Sequence, residues 1–261
     1  MVSESRKIPQ APATSADVID PSRLPRGPVT HKYIEVGKTL YQAPGETPRF
    51  AAKAAFVMLR ELFRDAASPV TVYDPFCGNG VILLTALLFF HTRHKALLGS
   101  DLHPSAVRAS RMNLRWLRYR QGLNTRIRAI HAYRTEDQQV KAIYAERCRL
   151  MFDEAKRIGT EADVFRQDAR TVGHVLASVS GRIAIVADPP YAGMSRNRSS
   201  YDFGPLEPFL SQVADCPRAD VLMLCYRRET PVLALLEKHF RVFPKRGTRG
   251  RDIYLCRRRS S

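Results

Sequence analysis

From Val70 onward, short runs rich in β-branched and apolar residues alternate with stretches patterned as helices, and this alternation restricts the fold more than any other feature of the chain. Two strands joined by a helix-length connection re-enter a sheet from the same edge, so they lie parallel with helices over both faces. The runs at 70–74, 96–101, 164–167, 183–188 and 221–226 are read as such strands, followed by 241–243 and 252–256. Pro244, Gly247 and Gly250 separate the last two and leave no room for a crossover helix, so those two are expected to pair antiparallel. The expectation is an α/β, doubly wound, Rossmann-like sheet of seven strands, mostly parallel and ending in one hairpin.

Residues 104–160 run from the second strand to the third with helical patterning and almost no breaker except Gly122, which marks a helical insertion. The insertion holds thirteen Lys and Arg against five Asp and Glu, with Arg111, Arg115, Arg118 and Arg120 close together. A solvated helix face is the ordinary reading of such a run. Beside the expected substrate cleft, a grip on phosphates is the better one. Residues 1–30 carry Pro9, Pro12, Pro21, Pro25 and Pro28 and few large apolar side chains, too little to offset the entropy of ordering. They are expected to form a disordered, basic, proline-rich arm, and residues 31–261 a single domain around one core.

A formal net charge of +17 favours phosphate-rich partners through counterion release. Nucleic acid suits it better than a small metabolite, and an anionic membrane surface is the other polyanion that charge alone admits. Cys77, Cys148, Cys216, Cys225 and Cys256 are widely spaced and form no CxxC pair, which argues against a zinc cluster or a secreted disulfide framework. No metal is expected, and a reducing, cytoplasmic compartment is. The longest apolar run, 81–90, is stopped by His91 and Arg93 and is too short to cross a bilayer. The N-terminus lacks the apolar core of a signal peptide, and Glu4, Asp17 and Asp20 count against a transit sequence.

Residues 70–81 read VTVYDPFCGNGV, a buried strand ending in Asp74 and then a tight loop whose Gly78 and Gly80 let backbone N–H groups approach a ligand. Dinucleotide binding is the rival reading. It needs a third glycine near Leu83 and sets a pyrophosphate beside the Asp74 carboxylate, so sterics and charge both oppose it. Asp74 instead suits a cationic ligand such as the ammonium and sulfonium of S-adenosylmethionine. Asp101, closing the second strand, can accept from both ribose hydroxyls, with an N-cap to the following helix as the alternative. Asp168, after the third strand, is placed to accept from the adenine amine or, equally, to cap the helix beyond Ala169.

The sharpest signal is Asp188-Pro189-Pro190-Tyr191, directly after an apolar strand. An exocyclic base amine is a poor nucleophile because its lone pair is delocalised into the ring. The Asp188 carboxylate and the Pro189 carbonyl would hold its two N–H bonds and favour a pyramidal nitrogen, while Tyr191 stacks on the base. Proximity and orientation then supply most of the rate without a metal. An ordinary proline turn is the alternative. It is improbable downstream of DPFCGNG and directly after a strand.

Together these residues resemble the class I methyltransferases, and the DPPY tetrapeptide resembles their amino-group branch. From about Leu40 to Arg257 the chain looks most like the avilamycin-resistance (AviRa-like) type of ribosomal RNA guanine-N2 methyltransferase. The shared features are Leu40-Tyr41-Gln42-Ala43-Pro44-Gly45 ahead of the sheet, Asp74-Pro75-Phe76-Cys77-Gly78-Asn79-Gly80, Ser100-Asp101, the helical insertion and Ala162-Asp163-Val164-Phe165. The resemblance implies methyl transfer from S-adenosylmethionine to guanine N2 in 23S ribosomal RNA, with the leader folding over the cofactor. The chain departs at Pro189 from a member of that family that has leucine at the first proline of the tetrapeptide. The expected catalytic set is Asp188, Pro189, Pro190 and Tyr191. The expected cofactor set is Asp74, Pro75, Cys77, Gly78, Asn79, Gly80, Asp101 and Asp168. RNA is the expected partner. The rival readings are an adenine-N6 DNA methyltransferase, a tRNA guanine-N2 methyltransferase and an inactive RNA-binding module.

Overall fold

The strand Val70–Asp74 (β1) is buried at all five positions, as a strand must be when helices cover both sides of its sheet. The same holds for Ile183–Ala187 (β4). Around them lie His94–Asp101 (β2), Ala162–Arg166 (β3), Ala219–Arg227 (β5), Phe240–Thr248 (β6) and Arg251–Arg258 (β7). One sheet of seven strands results, in the order β3-β2-β1-β4-β5-β7-β6. The first five strands are mutually parallel, while β7 runs antiparallel between β5 and β6. This is the doubly wound, hairpin-ended sheet expected from the sequence. The computed structural model describes residues 48–64, 69–91, 93–132, 138–158, 162–189, 206–227, 232–248 and 251–259. The expected arm at 1–30 and the leader from Leu40 to Gly45 lie outside the described residues.

Side-chain alternation divides the strands between two cores. Val72, Leu97, Val164, Ala184, Val186 and Met223 point to one face. There they meet helices Pro48–Arg64 (α1) and Val81–Phe89 (α2), with Leu114 and Leu117 of Pro104–Arg118 (α3), Leu123 and Ile130 of Arg120–His131 (α4) and Cys148 and Phe152 of Gln138–Ile158 (α5). Tyr73, Ile185, Ala187, Leu222 and Leu224 point to the other face, under Gly173–Ser178 (α6), Glu207–Asp215 (α7) and Leu233–His239 (α8). The predicted insertion is the trio α3, α4 and α5, which lies between β2 and β3 in the chain.

Candidate active site

The C-terminal ends of β1 to β5 open on one edge of the sheet, and in such a sheet ligands bind where the strand order reverses. Here the order reverses between β1 and β4, with β2 and β3 to one side and β5 to the other. The two motifs singled out in the sequence follow these two strands and so flank that crevice, with Asp101 and Asp168 after β2 and β3 on its cofactor side. Topology thus gathers four strand ends at one edge. Pro190 and Tyr191 lie outside the described residues.

The loop after β1 is pinned from below. Its Cys77 N–H donates to the Ser100 carbonyl (2.9 Å), and Gly80 N–H donates back to the Cys77 carbonyl (2.6 Å). Asn113 of α3 donates from Nδ2 to the Asn79 carbonyl (2.8 Å). Gly78 and Gly80 both have positive φ, 49° and 83°, where a side chain is strained. A Cβ on Gly80 would also stand 2.5 Å from Ser110 Oγ. The loop therefore presents backbone without side chains at Gly78 and Gly80 at the start of α2, where a ligand can approach closely, while the N–H groups of Cys77, Gly78 and Gly80 are spent on holding the loop's shape. Beneath it, Asn79 Nδ2 and Ser110 Oγ are buried with no hydrogen-bond partner among the described residues. Asp74 is 1% exposed and accepts from the Phe76 N–H at 3.1 Å. Cys77 turns its side chain into the core.

Asp101 ties two loops together, accepting from Gly78 N–H through Oδ2 (3.0 Å) and from His103 N–H through Oδ1 (2.9 Å). Burial raises its carboxyl above the usual range, opposed by these donors. A carboxylate has about four acceptor positions, so these two bonds leave it able to take ribose hydroxyls as well. Both the helix-entry role and the ligand role weighed from the sequence are open to this one side chain, although His103 itself is the cap of α3. Asp168 caps the 3-10 turn Ala169–Thr171, accepting from Arg170 N–H (2.9 Å). Its carboxylate also pairs with the Arg170 guanidinium (2.7 Å), which holds its pKa below the usual range. The capping role therefore exists in the structure.

Asp188 follows β4 and is 16% exposed; its Oδ2 is paired with Nη1 of Arg251, which is 12% exposed. Arg251 begins β7 and stands opposite Arg227 at the end of β5, so the guanidinium reaches across β5 to the end of β4. Sequence reasoning missed Arg251. Sixty-three residues separate the pair, and only the antiparallel return of β7 brings them together. Pro189 is buried beside Asp188. Among the described residues no group of three or more His, Cys, Asp or Glu could hold a metal ion.

A family model described as rRNA methyltransferase AviRa matches residues 30–248. Two structures of the rRNA methyltransferase aviRa from Streptomyces viridochromogenes, at 1.5 and 2.4 Å, superpose with TM-scores of 0.65 and 0.64 and identities of 21% and 20%. Each match covers 85% of this chain and 91% of the other, a likeness that bears on the fold. The ribosomal RNA large subunit methyltransferase K/L of Dichelobacter nodosus (strain VCS1703A) is 26% identical over 206 residues, which is 71% of this chain. This chain spans about a quarter (26%) of that relative's length.

Proposed function

The chain belongs to the AviRa family of rRNA methyltransferases, which use S-adenosylmethionine, and from that premise we propose that it methylates the exocyclic N2 amine of a guanine in 23S rRNA. The observation that carries this reading is Asp188 held by Arg251 at the edge where β1 and β4 diverge, across the crevice from the glycine loop. We read residues 31–261 as one methyltransferase domain working in the cytoplasm. Among the described residues, no helix is long and apolar enough to cross a membrane.

The bare backbone of the loop at Gly78 and Gly80 and the unpartnered polar atoms of Asn79 and Ser110 fit a small polar cofactor. Asp74 would face its cationic end, Asp101 its ribose hydroxyls, and the turn at Asp168 its adenine. When bound, S-adenosylmethionine supplies an electrophilic methyl on a sulfonium sulfur. The Asp188 carboxylate and the Pro189 carbonyl accept from the two amine N–H bonds and aim the nitrogen lone pair at the crevice. Arg251, paired with one carboxylate oxygen, fixes Asp188 in direction. As the nitrogen gains positive charge during attack, a carboxylate already in place stabilises it without having to reorganise.

The test is incubation with S-adenosylmethionine and, separately, deproteinised 23S rRNA, tRNA or DNA, followed by nuclease digestion and nucleoside mass spectrometry against standards. N2-methylguanosine from 23S rRNA is expected. N6-methyladenosine would overturn the choice of base, and methylation of tRNA or DNA alone would overturn the substrate.

A further inference from the structure

On the cofactor side of the crevice, α3 and the edge strand β3 enclose an open groove of about 530 Å³ lined by Pro104, Val107, Arg108, Arg111, Met112, Arg115 and Arg166. Four of these seven residues are arginines, all exposed, and none is acidic. Alternation along β3 turns Asp163 to the opposite face, with Phe165, so no carboxylate on that strand neutralises the groove. Arg111 and Arg166 are braced: their Nε atoms donate to the Val164 carbonyl (2.8 Å) and the Leu102 carbonyl (3.2 Å), which fixes each guanidinium and leaves its outer N–H groups to the groove. The side chains of Arg108 and Arg115 make no hydrogen bond or ion pair to any described residue. The mouth at Pro104 follows directly on His103, whose N–H is held by the ribose candidate Asp101.

We propose that this groove is a phosphate track that grips the backbone of the substrate RNA at nucleotides flanking the target base. The proposal rests on the reading of RNA as the partner, but not on which base is methylated. Arg108, Arg111 and Arg115 fall on one face of α3, and the outer two are about 10 Å apart along its axis, enough for two or three consecutive phosphates. Arginine forks suit phosphate oxygens geometrically. Met112, 36% exposed, supplies an apolar wall for a ribose. An anion-binding role for Arg111 and Arg115 is thereby separated from Arg118 and Arg120, which do not line the groove.

The test uses the full chain, a labelled 20-nucleotide oligouridylate as probe, and a titration over KCl concentration. Arg108→Gln/Arg115→Gln leaves the braced pair intact. It should make the log–log salt slope shallower by about 1.4, at ~0.7 per single-strand contact, and weaken binding about 25-fold at 0.1 M salt, converging with wild type near 1 M. Arg108→Lys/Arg115→Lys should keep most of the slope. With 23S rRNA the Gln pair should raise KM and leave kcat and cofactor affinity unchanged. Arg182→Gln/Lys238→Gln removes the same charge from other surfaces and should leave the slope as it is. An unchanged slope in the Arg108/Arg115 variant, an equal drop in the Arg182/Lys238 control, or displacement of the probe by polyglutamate as readily as by unlabelled oligouridylate would overturn the proposal. Loss of slope together with a product other than N2-methylguanosine would leave the track standing and sink the base assignment alone.

Discussion

Asp101 shows how one side chain can serve the scaffold and the ligand together. Its two oxygens already hold Gly78 and His103 N–H groups, so its loss removes a ribose acceptor and also unties the loop that carries Gly78 and Gly80. Asp101→Ala should weaken S-adenosylmethionine binding by about 1–3 kcal/mol in calorimetry; unchanged affinity would confine Asp101 to the loop. Arg251 makes the complementary case at the other motif. Arg251→Gln leaves the partly buried Asp188 carboxylate without its guanidinium partner, and methyl transfer should fall by about 10–100-fold, ~1.4–2.7 kcal/mol of barrier. Cofactor affinity should stay at the wild-type value, since Arg251 stands across β5 from the glycine loop. Wild-type turnover, or a defect confined to cofactor binding, would remove Arg251 from the amine site. Asp188 was legible in the sequence because its tetrapeptide is local. Arg251 was not, because its role depends on the order of strands.

Among the elements, the seven strands were legible because strands buried on both faces read as short apolar, β-branched runs, while their ends were less so. Pro244 makes 241–243 look like the whole of the sixth strand, yet β6 continues to Thr248 with Pro244 in register with Tyr254. A proline is tolerated there because β6 is the edge of the sheet and has a side with no neighbour to receive an N–H. The second strand begins two residues earlier than its apolar run, at His94, whose side chain is polar in sequence but 6% exposed in the fold. Burial pushes that imidazole down from its ordinary 6.5 to about 4. A folded-state value below the unfolded one means that the unfolded chain takes up the proton first. The stability carried by neutral His94 is therefore complete above about pH 6.5 and drains away as pH falls towards 4. Urea unfolding should show a loss of about 2 kcal/mol between pH 6.5 and 5, a window above the ordinary carboxylate range. In His94→Leu that loss should shrink towards zero. Parallel decline in both proteins would place the titrating group elsewhere.

At the scale of the whole molecule, a charge of +17 sets stability and RNA binding in opposition. Like charges repel across a folded surface more than across an extended chain, so the excess that draws in phosphates also destabilises the compact state. Added salt screens both effects, with a Debye length of about 10 Å at 0.1 M and 3 Å at 1 M. It also weakens favourable ion pairs, but Arg60–Glu61, Arg149–Glu146 and Lys238–Glu207 each have a cation about half exposed or more. Pairs of that kind contribute about 0–1 kcal/mol each. Asp188–Arg251, with both partners under one-fifth exposed, is shielded from the screening. Relief of repulsion should therefore win. Raising KCl from 0.05 to 0.5 M should raise Tm, at roughly 2–4 °C per kcal/mol gained for a domain near this size, over the same range in which RNA affinity collapses. Thermal unfolding followed by circular dichroism in KCl, a salt that avoids the general stabilisation given by sulfate, measures the first trend, and the oligouridylate titration measures the second. A Tm that falls with KCl would mean that specific ion pairs outweigh the net charge, and that the arginine excess is already balanced inside the folded chain rather than held ready for phosphates.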